Sequence, residues 1–182
     1  MIAPGLVAAV AAAPRHGLAK MPQGAVTLLP GLGVHGDAHC GALVRHRFLA
    51  RRDPSQPNLR QVHLIQAELH DALRRAGFDA ASGTLGENIL TRGIDLAALP
   101  ARSRLRLGEM AVVEITGLRY PCRLLDRQQA GLMAAVTARN DAGLVFFRMA
   151  AMAVVVSGGD VRPDDMIAVA LPGGKHQPLG LV

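Results

Sequence analysis

The sequence predicts a mainly β chain with a few helices that closes on itself as a barrel. Three observations predict it. Short apolar runs separated by Gly and Pro recur along the chain, seven of them have strand length, and helical spacing is confined to a few short stretches. At 182 residues the chain can bury one core without disulfide staples.

Taken in order, the expected strands are Leu6–Ala12, Ala25–Leu29, Gln61–Ile65, Arg104–Leu107, Ala111–Thr116, Met149–Ser157 and Met166–Ala170. The first lies in GLVAAVAAA at 5–13, an apolar run that imitates part of a secretory signal. No basic residue precedes it and it is too short to cross a bilayer, so it reads as a buried strand. A helix is expected over Gln66–Ala76, with Leu69, Leu73 and Ala76 on one face and Gly77 as its stop. Two more helices are expected, at about Cys122–Gln129 and Leu132–Arg139. The stretch Ala50–Asn58 is polar and proline-bearing and reads as a surface loop. We expect one domain over 1–171 and a flexible C-terminal tail over 172–182.

Composition narrows the function classes. The formal charge is +6 and nearly all the cations are arginines, with Lys20 and Lys175 the only lysines. Arginine forks suit phosphate and carboxylate. Aromatic residues are 3% of the chain and Trp is absent, which disfavours base stacking and hence nucleic acid as a partner. Two cysteines, Cys40 and Cys122, make no disulfide framework and no zinc spacing, so a reducing, cytoplasmic setting is expected, with no membrane association. None of the serines lies in a GxSxG elbow, which excludes that hydrolase design.

Three clusters carry chemistry. Gly33–His39 (GVHGDAH) packs His35, Asp37 and His39 together; this is either a polar site or a turn in which Asp37 accepts backbone N–H bonds. Gly83–Ile89 (GTLGENI) brings Gly86, Glu87 and Asn88 together ahead of Thr91. It can offer N–H groups and an amide to a polar ligand, or simply be a hydrogen-bonded turn. Its spacing is neither that of a Walker loop nor of a dinucleotide loop. Cys122 follows Pro121 and is flanked by Arg119 and Arg123. A fixed backbone and nearby positive charge favour thiolate, although a lone cysteine is often a buried small hydrophobe.

In order along the chain, these pieces resemble the MOSC domain, the module named after the C-terminal part of molybdenum cofactor sulfurases. The resemblance runs from the GLVAAV strand through His16 and Lys20, GVHGDAH, RQVHLIQAE at 60–68, GTLGENI and TRGIDLAAL at 91–99. It continues through LRLGEMAVVEITGLRYPC at 105–122 to GGDVRPDDMI at 158–167.

The resemblance implies a MOSC-type β-barrel and a cleft for a molybdenum–pterin cofactor (molybdopterin). It makes Cys122 the expected metal ligand or persulfide carrier, and points to stand-alone bacterial members similar to 6-hydroxylaminopurine reductases. The implied function is reduction of N-hydroxylated small molecules, bases or amidoxime-like compounds, with electrons from a separate reductase. The alternative is a sulfur-carrier or cofactor-binding module using a persulfide on Cys122. On this reading Lys20, Arg60, Gly86, Glu87, Asn88, Thr91 and Arg119 are cofactor contacts, with Cys122, Asp37 and His35 catalytic. A homo-oligomer is compatible with it. One departure stands out: Arg123-Leu124-Leu125 follows Cys122, without the second cysteine of the amidoxime-reducing enzymes.

Overall fold

Every second residue of Ala111–Leu118 turns inward: Ala111, Val113 and Ile115 are fully buried, while their neighbours are partly exposed. That period of two is what a strand with one face on a core requires. The computed structural model describes residues 3–121, 123–139 and 145–182, so Cys122 lies outside the described residues.

In chain order the elements begin with β1 (Gly5–Ala12), β2 (Met21–Gln23), β3 (Val26–Leu29) and β4 (Gly33–Val34). Then come α1 (Arg47–Arg52), β5 (Val62–Gln66), α2 (Ala67–Arg75), β6 (Ile89–Arg92), a 3₁₀ turn at Leu96–Ala98, β7 (Arg104–Leu107) and β8 (Ala111–Leu118). The remainder is α3 (Leu124–Gln128), α4 (Leu132–Ala135), β9 (Thr137–Arg139), β10 (Val145–Phe147), β11 (Ala150–Ser157), β12 (Gly159–Val161) and β13 (Met166–Ala170).

Seven strands form a closed barrel in the order β13-β7-β8-β11-β5-β6-β1, sealed where Gly5 and Leu6 of β1 pair with Ile167 and Met166 of β13. Closure removes the exposed edges that an open sheet would present. The barrel interior holds one core, including Val7, Val62, Leu64, Ile89, Leu105, Val113 and Ile115. β5 and β6 run parallel, and α2 makes the crossover between them. Their outward residues Ile65 and Leu90 meet Leu69 and Leu73 of α2, Leu125 and Leu132 in a second core. Both faces of these two strands are therefore covered, which explains their near-continuous burial.

The α2 stop is as the sequence predicts. Gly77 takes φ +89°, its N–H donates to Arg74 O, and the N–H of Phe78 donates to Leu73 O, the two bonds of a Schellman ending.

Four local expectations change. β6 begins at Ile89, inside a segment read as loop, because a parallel partner in β5 pairs with it. The expected Leu132–Arg139 helix ends at Ala135; Thr137–Arg139 instead pairs with the next strand, Val145–Phe147, and that pairing overrides local helical preference. The expected loop at 50–58 begins inside α1, whose end at Arg52 is followed by Asp53 and Pro54. The expected Cys122–Gln129 helix is ordered as Leu124–Gln128. Beyond β13, Leu118 N donates to Gly180 O and Val182 N to Leu118 O, laying 180–182 beside β8. Among the described residues no helix is long and apolar enough to cross a membrane.

The barrel seam is tight at Gly5, where an added Cβ would stand 2.6 Å from Arg92 O and 2.6 Å from Ile94 Cγ1. We expect Gly5→Ala to lower stability by about 1–3 kcal/mol through overpacking. Urea unfolding checks it, and an unchanged midpoint would show that the seam yields.

Candidate functional site

One barrel mouth collects the polar residues that the interior excludes. The C-terminal ends of β1 and β8, the N-terminal ends of β5 and β6 and the loops after β1 and β4 all converge there. They surround a basin of about 370 Å³ lined by Lys20, His46, Arg60, His63, Asn88 and Arg119 among others.

Asp37 is the hub of this mouth. Its Oδ2 accepts from Lys20 Nζ (2.6 Å), Asn88 Nδ2 (3.1 Å) and the Ala13 N–H (3.1 Å). Its Oδ1 accepts from the His39 N–H (2.9 Å) and faces His39 Nδ1 at 3.2 Å. A carboxylate only accepts, so Nδ1 of His39 carries the proton in that contact. Burial pushes the Asp37 carboxyl up, but the bonds from His39 and the Lys20 charge outweigh it and hold the group well below the usual carboxylate range. Burial also lowers Lys20, and Asp37 opposes that shift. Both groups are more than nine-tenths removed from solvent. A buried pair of this kind is tolerated because each charge neutralises the other and both Asp37 oxygens accept hydrogen bonds.

Asn88 ties the hub to the barrel. Its amide also donates to Ala11 O of β1 (3.1 Å), and its Oδ1 accepts the His63 N–H of β5 (3.2 Å). The preceding turn needs its glycines. At Gly83 (φ +85°) an added Cβ would meet Lys20 O at 2.2 Å, and at Gly86 (φ +79°) it would meet Leu18 O at 2.6 Å and Arg119 Nη1 at 3.2 Å.

Across the basin, Arg119 Nη1 donates to His63 Nδ1 (2.9 Å) and to Leu85 O (2.9 Å). Guanidinium cannot accept, so Nδ1 of His63 is unprotonated. Burial first, then the Arg119 charge, keeps the His63 imidazole far below its usual range. Arg60 donates through Nη2 to Val182 O, while its Nε is buried without a partner among the described residues. His46 Nδ1 is likewise buried without a partner among the described residues. Burial and then Arg60, His39, Arg119 and His16 bring His46 down to about 4.

The residues singled out by sequence divide clearly. Lys20, Arg60, Gly86, Asn88 and Arg119 line the basin. Asp37 sits behind Lys20 with both oxygens engaged. Glu87 is fully buried and accepts from the N–H groups of Gly83 and Leu85, with His70 Nε2 at 3.4 Å; it shapes the turn from behind. Thr91 is buried within β6, its hydroxyl 3.4 Å from Ile65 O. His35 is exposed and does not line the basin. Cys122 lies outside the described residues, but Arg119 before it and Leu124 after it both line the basin.

His16, His39, His46 and His63 are the lining groups that sequence reasoning did not assign to a site, although His16 entered the family resemblance and His39 the GVHGDAH cluster. His63 was hidden as one polar residue inside an apolar strand. Among the described residues no group of three or more His, Cys, Asp or Glu side chains is placed to hold a metal ion.

Two pH effects follow. Asp37 is lowered from 3.8, so its contribution to stability is present above that value and is lost as pH falls below about 4. His46 takes up a proton in the unfolded chain near 6.5 but in the folded chain only near 4, so stability falls as pH drops through that interval. We expect the His46 ring NMR signals to show a neutral imidazole down to pH 5. A midpoint near 6.5 would contradict the cationic, desolvated setting.

The MOSC domain model matches residues 49–168. No curated protein matches the chain. Among solved structures, the YuaD protein from Bacillus subtilis aligns with TM-score 0.70 at 20% identity, covering 92% of this chain and 96% of that one. YiiM from Geobacillus stearothermophilus aligns at 0.64 and 16% identity, covering 96% and 79%. YiiM from Escherichia coli aligns at 0.59 and 16% identity, covering 94% and 72%. At these identities the likeness is one of fold.

Proposed function

The chain belongs to the MOSC domain family, and on that premise we propose that the basin binds a molybdenum–pterin cofactor and that the protein reduces N-hydroxylated small molecules with electrons from a separate reductase. One observation carries the reading: Lys20, Arg60 and Arg119 converge on a basin beside which two buried nitrogens, His46 Nδ1 and Arg60 Nε, have no hydrogen-bond partner among the described residues. Buried polar atoms without partners are costly, and an anionic ligand would satisfy them.

The described residues fit the anionic end of such a cofactor. Arg60 and Arg119 are the forks for a phosphate, Lys20 adds a point charge, and Asn88 holds its amide in place between Asp37 and Ala11. For the metal end the proposed ligand is Cys122, a soft thiolate suited to a sulfur-rich centre. When bound, the cofactor supplies two-electron redox chemistry at an open metal position.

The chain's own part is binding, orientation and proton handling. Asp37 is held ionised by the donors around it and therefore acts by positioning Lys20, not by delivering protons. His46 is the lining group best placed to gain a proton when an anion arrives, because negative charge beside it favours imidazolium.

Molybdenum and pterin content of protein made in a cofactor-competent host tests the reading. We expect near-stoichiometric loading of wild type, at least tenfold less molybdenum in Cys122→Ala, and weaker retention of pterin and metal together in Arg60→Gln. Equal loading of all three would refute it. Sulfane sulfur on Cys122 without molybdenum would favour the sulfur-carrier alternative.

A further inference from the structure

The net charge of +6 is not evenly neutralised over the surface. Elsewhere Arg74 and Arg92 both pair with Asp71, Arg102 and Arg104 with Glu114, and Arg162 with Asp160, while Arg106 of β7 donates to Gly108 O. Beside the basin lies a second, more open cavity of about 1010 Å³ whose lining includes Arg15, Arg45 and Arg47. All three are exposed, and among the described residues none of them pairs with a carboxylate.

Among the described residues the one carboxylate on this lining is Asp37, and both its oxygens are already taken by Lys20, Asn88, Ala13 and His39. The cavity therefore carries an uncompensated positive field. His16 lies on the same lining. Its imidazole is lowered by burial, then by His39 and Arg47, with Arg45 adding to the same direction, and the opposing pull of Asp37 does not reverse it. The two cavities also adjoin, because His16 and Arg47 line both. The ring of His16 stands edge-on to that of His39, centroids 4.8 Å apart, at this junction. Arg45 is fixed at its base by Nε donating to Cys40 O at 3.2 Å.

We propose that the outer cavity is a second anion site, and that it takes the phosphate of a phosphomonoester substrate whose other end reaches the inner basin. The assignment deepens the function proposed above and depends on it only for the inner end. Guanidinium groups with no carboxylate partner among the described residues recognise a phosphate by paired N–H bonds, and their field concentrates anions at the cavity before contact is made. A neutral compound of the same shape gains neither term. The substrate class is thus a phosphorylated small molecule, not a free uncharged base.

Ribose 5-phosphate and ribose, each titrated calorimetrically into the full chain at low salt, test this. We expect ribose 5-phosphate to bind and ribose to bind at least tenfold more weakly. Replacing two exposed side chains together, Arg15→Gln with Arg45→Gln, should weaken ribose 5-phosphate at least tenfold without changing the melting temperature. Arg45→Lys in place of Arg45→Gln should recover part of the loss. Wild-type affinity in the double variant, or no preference for the phosphorylated sugar, would overturn the site. Arg60→Gln separates the two readings: lost molybdenum with outer binding intact sinks neither, whereas full molybdenum loading with outer binding intact sinks only the inner one.

Discussion

The mouth of the barrel depends on one buried carboxylate. Asp37 gathers donors from its own loop at His39 and from three other stretches of chain, at Ala13, Lys20 and Asn88, none of them inside a helix or strand. Without the Lys20 charge the carboxylate would be buried at a cost of several kcal/mol, and without the carboxylate Lys20 would be equally stranded. The pair makes a locally neutral foundation beneath a basin that is otherwise cationic. Arg60 and Arg119 then stand above it with their charge directed at the cavity.

Barrel geometry explains why these residues meet. β1 and β6 are antiparallel neighbours, and β5 runs parallel to β6, so the end of β1 and the starts of β5 and β6 fall at one rim. Ala11, His63 and Asn88 are thereby adjacent although they are far apart in sequence. Burial and cationic neighbours act together on the imidazoles of His46 and His63 at that rim and hold both below their usual range. Among the described residues, His46 Nδ1 and Arg60 Nε are buried without a hydrogen-bond partner at this mouth.

Much of the fold was legible because strand alternation and glycine punctuation are local signals. β8 and the α2 stop at Gly77 could be read from a few residues each. β6 could not, since its strand character comes from burial on two sides between β5, β1 and the helical layer. β9 could not be read for a different reason: its strand character comes from pairing with β10, not from its own helix-like spacing. At the site, Lys20, Arg60, Gly86, Asn88 and Arg119 were legible from residue type and from the family pattern. His63 was not, because its role depends on Arg119 arriving from the far end of β8. Asp37 was legible as a turn residue that accepts backbone N–H bonds, but its bond to Lys20 could not be read from a turn alone.

A double-mutant cycle on Lys20 and Asp37 tests the central claim most directly. Lys20→Met and Asp37→Asn should each lower unfolding free energy by about 3–5 kcal/mol, because each strands a buried charge. Together they should cost less than the sum by at least about 2 kcal/mol, since the double variant strands none. Losses that simply add would show that the two side chains do not hold the basin as a unit.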